Sequence, residues 1–180
     1  MKYLIASDIH GSAFYCKKLI DAFKEEGADK LVLLGDVLYH GPRNPLPEGY
    51  SPKETATMLN EMKDKILCVR GNCDSAVDQM VLEFPILADY AILDMGKNII
   101  FLTHGDKYDP NNPPLLSDGD VLINGHFHTV VYGKKENFFY FNPGSISLPK
   151  DGIRGYLIYE NKRFVYKTIE GETKFEFNLE

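Results

Sequence analysis

The sequence predicts an α/β domain in which sheets pack together with helices outside. Three observations carry this. Short apolar runs alternate with helical spacings up to about residue 72, the order that gives parallel strands. After about residue 88 the texture changes to closely spaced short strands. No repeat, linker or low-complexity segment interrupts the chain, so residues 1–180 read as one domain, long enough to bury a core.

The first element is Tyr3 to Ala6, an apolar run stopped by Ser7-Asp8. Cys16, Leu19, Ile20 and Phe23 follow at i, i+3, i+4, i+7, the spacing of an amphipathic helix, with Gly27 where a C-cap belongs. Leu31-Val32-Leu33-Leu34 is the second buried strand and ends at Gly35-Asp36. A Pro- and Gly-rich loop spans 37–50. Ser51-Pro52-Lys53-Glu54 then reads as a capping box with Pro at the first helical position, continued by Ala56, Leu59 and Met62. Ile66-Leu67-Cys68-Val69 is the third strand and ends at Arg70-Gly71-Asn72. Further strands are expected over 90–94, 99–103, 121–124, 130–133, 138–142, 155–160, 163–169 and 174–178. Glu160-Asn161-Lys162 suits a hairpin turn. Asn142-Pro143-Gly144-Ser145 reads as a turn without chemistry, and Phe138-Phe139-Tyr140-Phe141 as core or interface.

Composition narrows the function classes. Hydrophobic residues make up 44% and charged residues 26%, which excludes a disordered or fibrous chain. The formal net charge of −6, with Lys and Arg scattered, argues against a nucleic-acid polymer as partner. Three cysteines, Cys16, Cys68 and Cys73, cannot all pair and show no C-x-x-C spacing, so reduced thiols in the cytoplasm are expected. The apolar start of the chain is too short for a signal peptide, and no stretch is long enough to span a membrane.

One pattern recurs five times: a buried strand ends and metal-ligand side chains follow. The residues are Asp8 and His10, then Asp36, then Asn72, then His104, then His126 and His128. Four of the five histidines fall in this pattern. Glycines 11, 35, 71, 105 and 125 lie beside them, where tight turns are expected. Strand ends of one α/β sheet lie side by side, so residues distant in sequence can meet there. Asp8-x-His10 and His126-x-His128 have the two-residue spacing that, in extended chain, points both side chains one way. Seven ligand groups exceed one tetrahedral site and suit two ions sharing a carboxylate. Carboxylate, imidazole and amide oxygen without thiolate favour Mn²⁺, Fe²⁺, Ni²⁺ or Zn²⁺.

These blocks, Asp8-Ile9-His10, Gly35-Asp36, Gly71-Asn72, His104-Gly105 and Gly125-His126-Phe127-His128, resemble in order the calcineurin-like metallophosphoesterases. The segments GDVLYHGPRNPLPEGY at 35–50, RGNCDSAVDQM at 70–80 and FNPGS at 141–145 are similar to the YfcE-type phosphodiesterases within them. The resemblance covers about the first 150 residues. It implies a four-layer αββα sandwich of mixed sheets with metals at the strand ends. Asp8, His10, Asp36 and His128 would hold one metal. Asp36, Asn72, His104 and His126 would hold the other, with Asp36 bridging. A hydroxide held between the ions would attack phosphorus, and manganese is the metal expected. Cys73 stands where many relatives carry a His that assists the leaving oxygen or binds phosphate; here it is a candidate catalytic or substrate contact, or a packed residue. His40 and Arg43, in the loop after Asp36, are candidate substrate contacts, and the 105–119 loop is placed to border the site. The implied activity is hydrolysis of small organic phosphodiesters, and the family suggests a homodimer. A phosphomonoesterase of the same fold is the nearest alternative, and a non-catalytic scaffold the more distant one.

Overall fold

A computed structural model describes residues 1–179. In chain order the elements are β1 (Tyr3–Ala6), α1 (Ala13–Glu25), β2 (Lys30–Leu33), α2 (Pro52–Asn60), β3 (Ile66–Cys68), α3 (Ala76–Gln79), β4 (Tyr90–Asp94), β5 (Ile99–Thr103), β6 (Val121–Asn124), β7 (Val130–Lys135), β8 (Phe138–Pro143), β9 (Gly155–Glu160), β10 (Arg163–Thr168) and β11 (Thr173–Asn178). One 3₁₀ turn, Lys63–Lys65, precedes β3.

Two mixed sheets result. The first runs β11-β10-β9-β1-β2-β3, with β1, β2 and β3 parallel and β9, β10 and β11 successively antiparallel. The second runs β4-β5-β6-β8-β7, parallel at β5, β6 and β8 and antiparallel at both edges. The apolar runs are continuous because both faces of the first sheet are covered. Ile5, Val32 and Leu34 face the second sheet and meet Ile100, Leu102, Val121, Ile123 and Phe141. Leu4, Ala6, Leu31 and Leu33 face outward onto Cys16, Leu19, Ile20 and Phe23 of α1 and Leu59 of α2. The outer face of the second sheet, Phe101, Leu122, Phe138 and Tyr140, is capped by Leu116 and Tyr108. That cover comes from the 105–119 loop rather than from helices, so the fourth layer is irregular chain. Phe138, Tyr140 and Phe141 are core, as their apolar run suggested.

Local signals behave as their chemistry dictates, with one correction. Ser12 caps α1 by accepting from Tyr15 N–H, and Gly27 stops it at φ +60°. Asn161 and Lys162 both take positive φ in the two-residue turn between β9 and β10. The capping box expected at Ser51 is not formed: the Ser51 side chain makes no cap hydrogen bond. A capping box does form at Ser75, whose hydroxyl and backbone N–H pair reciprocally with Asp78 at the start of α3.

Candidate metal centre

All seven expected ligand residues converge where the strand ends of the two sheets face one another. Asp8, His10, Asp36 and His104 are buried, and so is His128. The β1–β2 ladder continues past the strands, through Asp8 N–H to Gly35 carbonyl (3.2 Å) and His10 N–H to Asp36 carbonyl (2.9 Å). The two loops therefore travel together and bring their ligands to one place.

The reason these side chains converge differs from the one the spacing suggested. Asp8, His10, Asp36, His126 and His128 all have φ between +51° and +66°, so the chain there is left-handed, not extended. The only other non-glycine residues at positive φ among those described are hairpin residues Glu136, Asn161 and Lys162. Each such conformation costs on the order of 1 kcal/mol. Five at one site are maintained by surrounding contacts, a concentration of strain that marks functional sites. The neighbouring glycines also have two distinct jobs. Gly11, Gly35 and Gly105 take positive φ. Gly71 and Gly125 do not; they leave room. A Cβ at Gly71 would lie 2.2 Å from Asp36 Oδ1, and one at Gly125 would lie 1.8 Å from Ser7 Oγ.

The donor atoms form two groups around Asp36. In one, Asp8 Oδ1 lies 3.1 Å from His128 Nε2 and 3.5 Å from His10 Nε2, while His10 Nε2 lies 3.1 Å from His128 Nε2. In the other, His104 Nε2 lies 3.0 Å from Asn72 Oδ1 and 3.2 Å from His126 Nδ1. Asp36 Oδ2 faces both, at 3.7 Å from His10 Nε2 and 3.5 Å from His104 Nε2. Donors around an octahedral ion with bonds of about 2.1 Å sit roughly 3 Å apart. The spacing therefore fits two cations.

Electrostatics supports the same conclusion. Three imidazoles have Nδ1 against a backbone carbonyl: His10 to Tyr39 at 2.8 Å, His104 to Leu34 at 2.6 Å and His128 to Leu148 at 2.8 Å. Each Nδ1 must donate, which turns Nε2 inward as a lone pair in the neutral ring. Two such lone pairs, on His10 and His128, then face each other and repel unless a proton or cation lies between. Burial opposes charge on His104, but Asp36 and Asp8 outweigh it and raise its pKa to about 10. His10 is raised likewise against burial, chiefly by Asp8. Burial would raise Asp8 too, yet hydrogen bonds from His10 and His128 hold it well below the usual carboxylate range. His126 is lowered by burial and by the neighbouring His104 charge.

Three supporting groups were not among the expected site residues. Asp74, buried, accepts from the N–H groups of Asp36 (2.8 Å), Val37 (2.9 Å) and Gly71 (2.8 Å), and so sets the turn that carries Asp36. Ser145 and Ser147 donate from Oγ to the Asp8 carbonyl at 2.8 and 3.0 Å. Ser145 ends the turn to which composition assigned no chemistry, and Asn142 within it donates to Gly125 carbonyl at 2.7 Å. The resemblance carried by FNPGS at the end of β8 was the available hint.

Beyond the candidate ligands lies a cleft of about 360 Å³, lined by Asp36, Gly41, Asn44, Cys73, His126 and His128 and, at its exposed rim, by Pro42, Arg43, Asn72, Phe127 and Lys150. Arg43 thus borders the site. His40 does not: its ring packs edge-on against Tyr39 and Tyr50, and its carbonyl accepts from Asn44. Cys73 N–H donates to Asp36 Oδ1 at 2.8 Å. Burial, then the Asp36 charge, pushes its thiol up to about 12, so it is neutral in the metal-free chain. Of the 105–119 loop, no residue lines this cleft.

Residues 1–163 match the model of the calcineurin-like phosphoesterase superfamily domain. Phosphodiesterase YfcE of Escherichia coli strain K12 is 51% identical over 152 residues, 84% of this chain and 83% of that protein. The solved structure of the phosphoesterase YfcE from E. coli superposes with a TM-score of 0.96 over the whole of both chains, at 43% identity. A zinc-complexed Vps29 from Entamoeba histolytica, at 18% identity and a TM-score of 0.64 over both full chains, shares the fold.

Proposed function

This chain belongs to the calcineurin-like phosphoesterase superfamily, and from that premise we propose that it hydrolyses small organic phosphodiesters with two divalent ions held by Asp8, His10, Asp36, Asn72, His104, His126 and His128. The observation that carries this reading is the pair of donor clusters sharing Asp36 Oδ2, with three imidazoles already oriented by backbone carbonyls. When bound, the ions would supply an activated water at neutral pH and offset charge on the phosphoryl oxygens. The chain's own residues supply the rest. Asp8, His10 and His128 define one cation position, Asn72, His104 and His126 the other, and Asp36 sets their separation. The neutral Cys73 thiol leaves the nearby wall of the cleft uncharged. Manganese is our choice of metal, from the oxygen- and nitrogen-rich donor set without thiolate.

The scaffold alternative is disfavoured by the completeness of that set. We read residues 1–180 as one domain acting on a small ester, not a nucleic-acid polymer, in the cytoplasm; three unpaired cysteines support the compartment. Edge strand β4 exposes Tyr90 and Ile92, which suits a homodimer contact. The test is a panel of phosphodiesters and phosphomonoesters assayed with Mn²⁺, Fe²⁺, Ni²⁺ and Zn²⁺. Metal-dependent turnover of diesters above monoesters is expected. Monoesters turned over faster with every metal would replace this reading by the phosphatase one.

A further inference from the structure

Arg43 and Lys150 stand at the rim of the metal cleft, one on the loop after β2 and one on the segment after β8. Their backbones are well anchored. Lys150 N–H donates to His128 carbonyl at 2.8 Å, and His128 Nδ1 donates to Leu148 carbonyl, so the 148–150 segment is stitched to a ligand of the site. Gly41, two residues before Arg43, packs so closely on Cys73 that a Cβ would lie 3.2 Å from its Sγ. The two cationic side chains are nonetheless exposed, and neither makes an ion pair or hydrogen bond among the described residues. The acids flanking them are engaged elsewhere. Asp151 accepts from Val130 and Ile153 N–H groups, and Glu48 accepts from Tyr15 hydroxyl.

Charge balance makes this notable. Two divalent ions bring four positive charges, and Asp8 and Asp36 offset two. A diester monoanion and the proton lost by an attacking water account for the other two. The reacting centre is then neutral without Arg43 or Lys150, which leaves two uncommitted positive charges at the mouth of a cleft in a chain of formal net charge −6. Phe127 lines the same cleft, exposed and edge-on to His126, and offers an apolar surface alongside the two cationic side chains.

We propose that Arg43 and Lys150 form an anion subsite, and that the substrate is a phosphodiester whose one arm carries a second acidic group, a carboxylate or a phosphoryl group, across an apolar spacer. This rests on the diesterase reading above and names its substrate class. Arg43 can take either acid with two parallel N–H bonds, and Lys150 adds a point charge. The subsite is exposed, so its contribution is screened by salt.

The test uses the manganese-loaded protein and three phosphinates in which CH₂ replaces both ester oxygens, so that nothing is cleaved. One arm ends in an amide, a carboxylate or a phosphate. Dissociation constants are measured by calorimetry at low and high salt. At low salt the two acidic compounds should bind on the order of tenfold more tightly than the amide, and that preference should shrink at high salt. Lys150→Gln and Arg43→Gln should each reduce the preference severalfold. Lys24→Gln, at the far end of α1, changes the net charge equally and should leave it intact. A preference for carboxylate over phosphate, or the reverse, identifies the acid. Equal binding of all three compounds overturns the subsite alone. Failure of all three to bind overturns the diesterase reading and the subsite with it.

Discussion

The floor and the rim of the cleft are built on opposite principles. The deepest floor side chains, Asp8, His10, Asp36 and His128, are buried and sit on left-handed backbone. Asp8 alone receives the Ser7 hydroxyl and the His126 N–H on its carboxylate and two serines on its carbonyl, with His128 Nε2 3.1 Å from its Oδ1. Rim side chains such as Arg43, Phe127 and Lys150 are exposed, on anchored backbone but with no polar partners of their own. Over-determination suits ions, which tolerate displacements of only a few tenths of an ångström. Openness suits an organic group whose position is set on arrival. On the proposed reading the floor governs whether chemistry happens, and the rim governs on what.

The largest effect should come from emptying the floor. Chelation should abolish activity, and reloading should restore it with about two ions per chain. Loading must also expel protons. His104, with its pKa raised to about 10, is an imidazolium at pH 8 and must become neutral to bind a cation. On the order of one proton per chain or more should be released at pH 7–9, fading above pH 10. Calorimetry in buffers of different protonation enthalpy measures this; a binding heat independent of buffer would break the link between imidazole charge and the empty floor.

Within the floor, position should matter. Asp36 faces both donor groups and His128 only one. Asp36→Asn is expected to lower kcat by about 10³-fold, and His128→Ala by roughly 10–10²-fold at saturating metal. Equal losses would remove the bridging role. Next comes the support beneath the floor. Asp74→Asn replaces with an NH₂ donor one of the two carboxylate oxygens that between them accept from three backbone N–H groups around Asp36. It should cost about 1–3 kcal/mol of stability and about 10–100-fold in metal affinity. Denaturant titration and metal binding check it, and a variant of wild-type metal affinity would show that Asp36 holds its turn without help.

The same division decides what was readable in the sequence. The convergence of the floor was legible because each expected ligand residue follows an apolar strand, and parallel strands bring their ends together whatever the loops do. All seven residues could be named from that rule. Their conformation was not legible: the two-residue spacing of Asp8 and His10 looks extended, whereas the ladder to Gly35 and Asp36 forces both into left-handed turns. Ser145, Ser147 and Asp74 act through backbone atoms of distant residues, and no periodicity encodes that. His40 shows the converse: nearness in sequence to Asp36 did not carry its side chain into the cleft, because Tyr39 and Tyr50 hold it aside. Ser51 failed as a capping box although its sequence was right. Its carbonyl instead accepts from Thr55, through both the backbone N–H (2.9 Å) and Oγ1 (3.0 Å).

The smallest expected effect lies at Cys73, where floor meets wall. Its N–H donates to Asp36, and its Sγ can come within 4.8 Å of donor atoms on Asp36 and His10. Burial and the Asp36 charge keep the thiol neutral in the metal-free chain. A neutral group there adds nothing for a monoester dianion, which carries one charge more than a diester. An imidazole at this place can become cationic near neutral pH and offset that charge. Cys73→His should therefore raise the ratio of monoester to diester kcat/KM by several-fold, about the worth of one partly screened charge pair. The gain should shrink as pH rises and the new imidazole loses its proton. Matched aryl esters with the same leaving group, assayed from pH 6 to 9, separate the charge effect from a change in packing, which would show no such pH trend. A ratio that stays constant, or moves toward diesters, would make Cys73 a packing residue and shift the choice of ester to the rim.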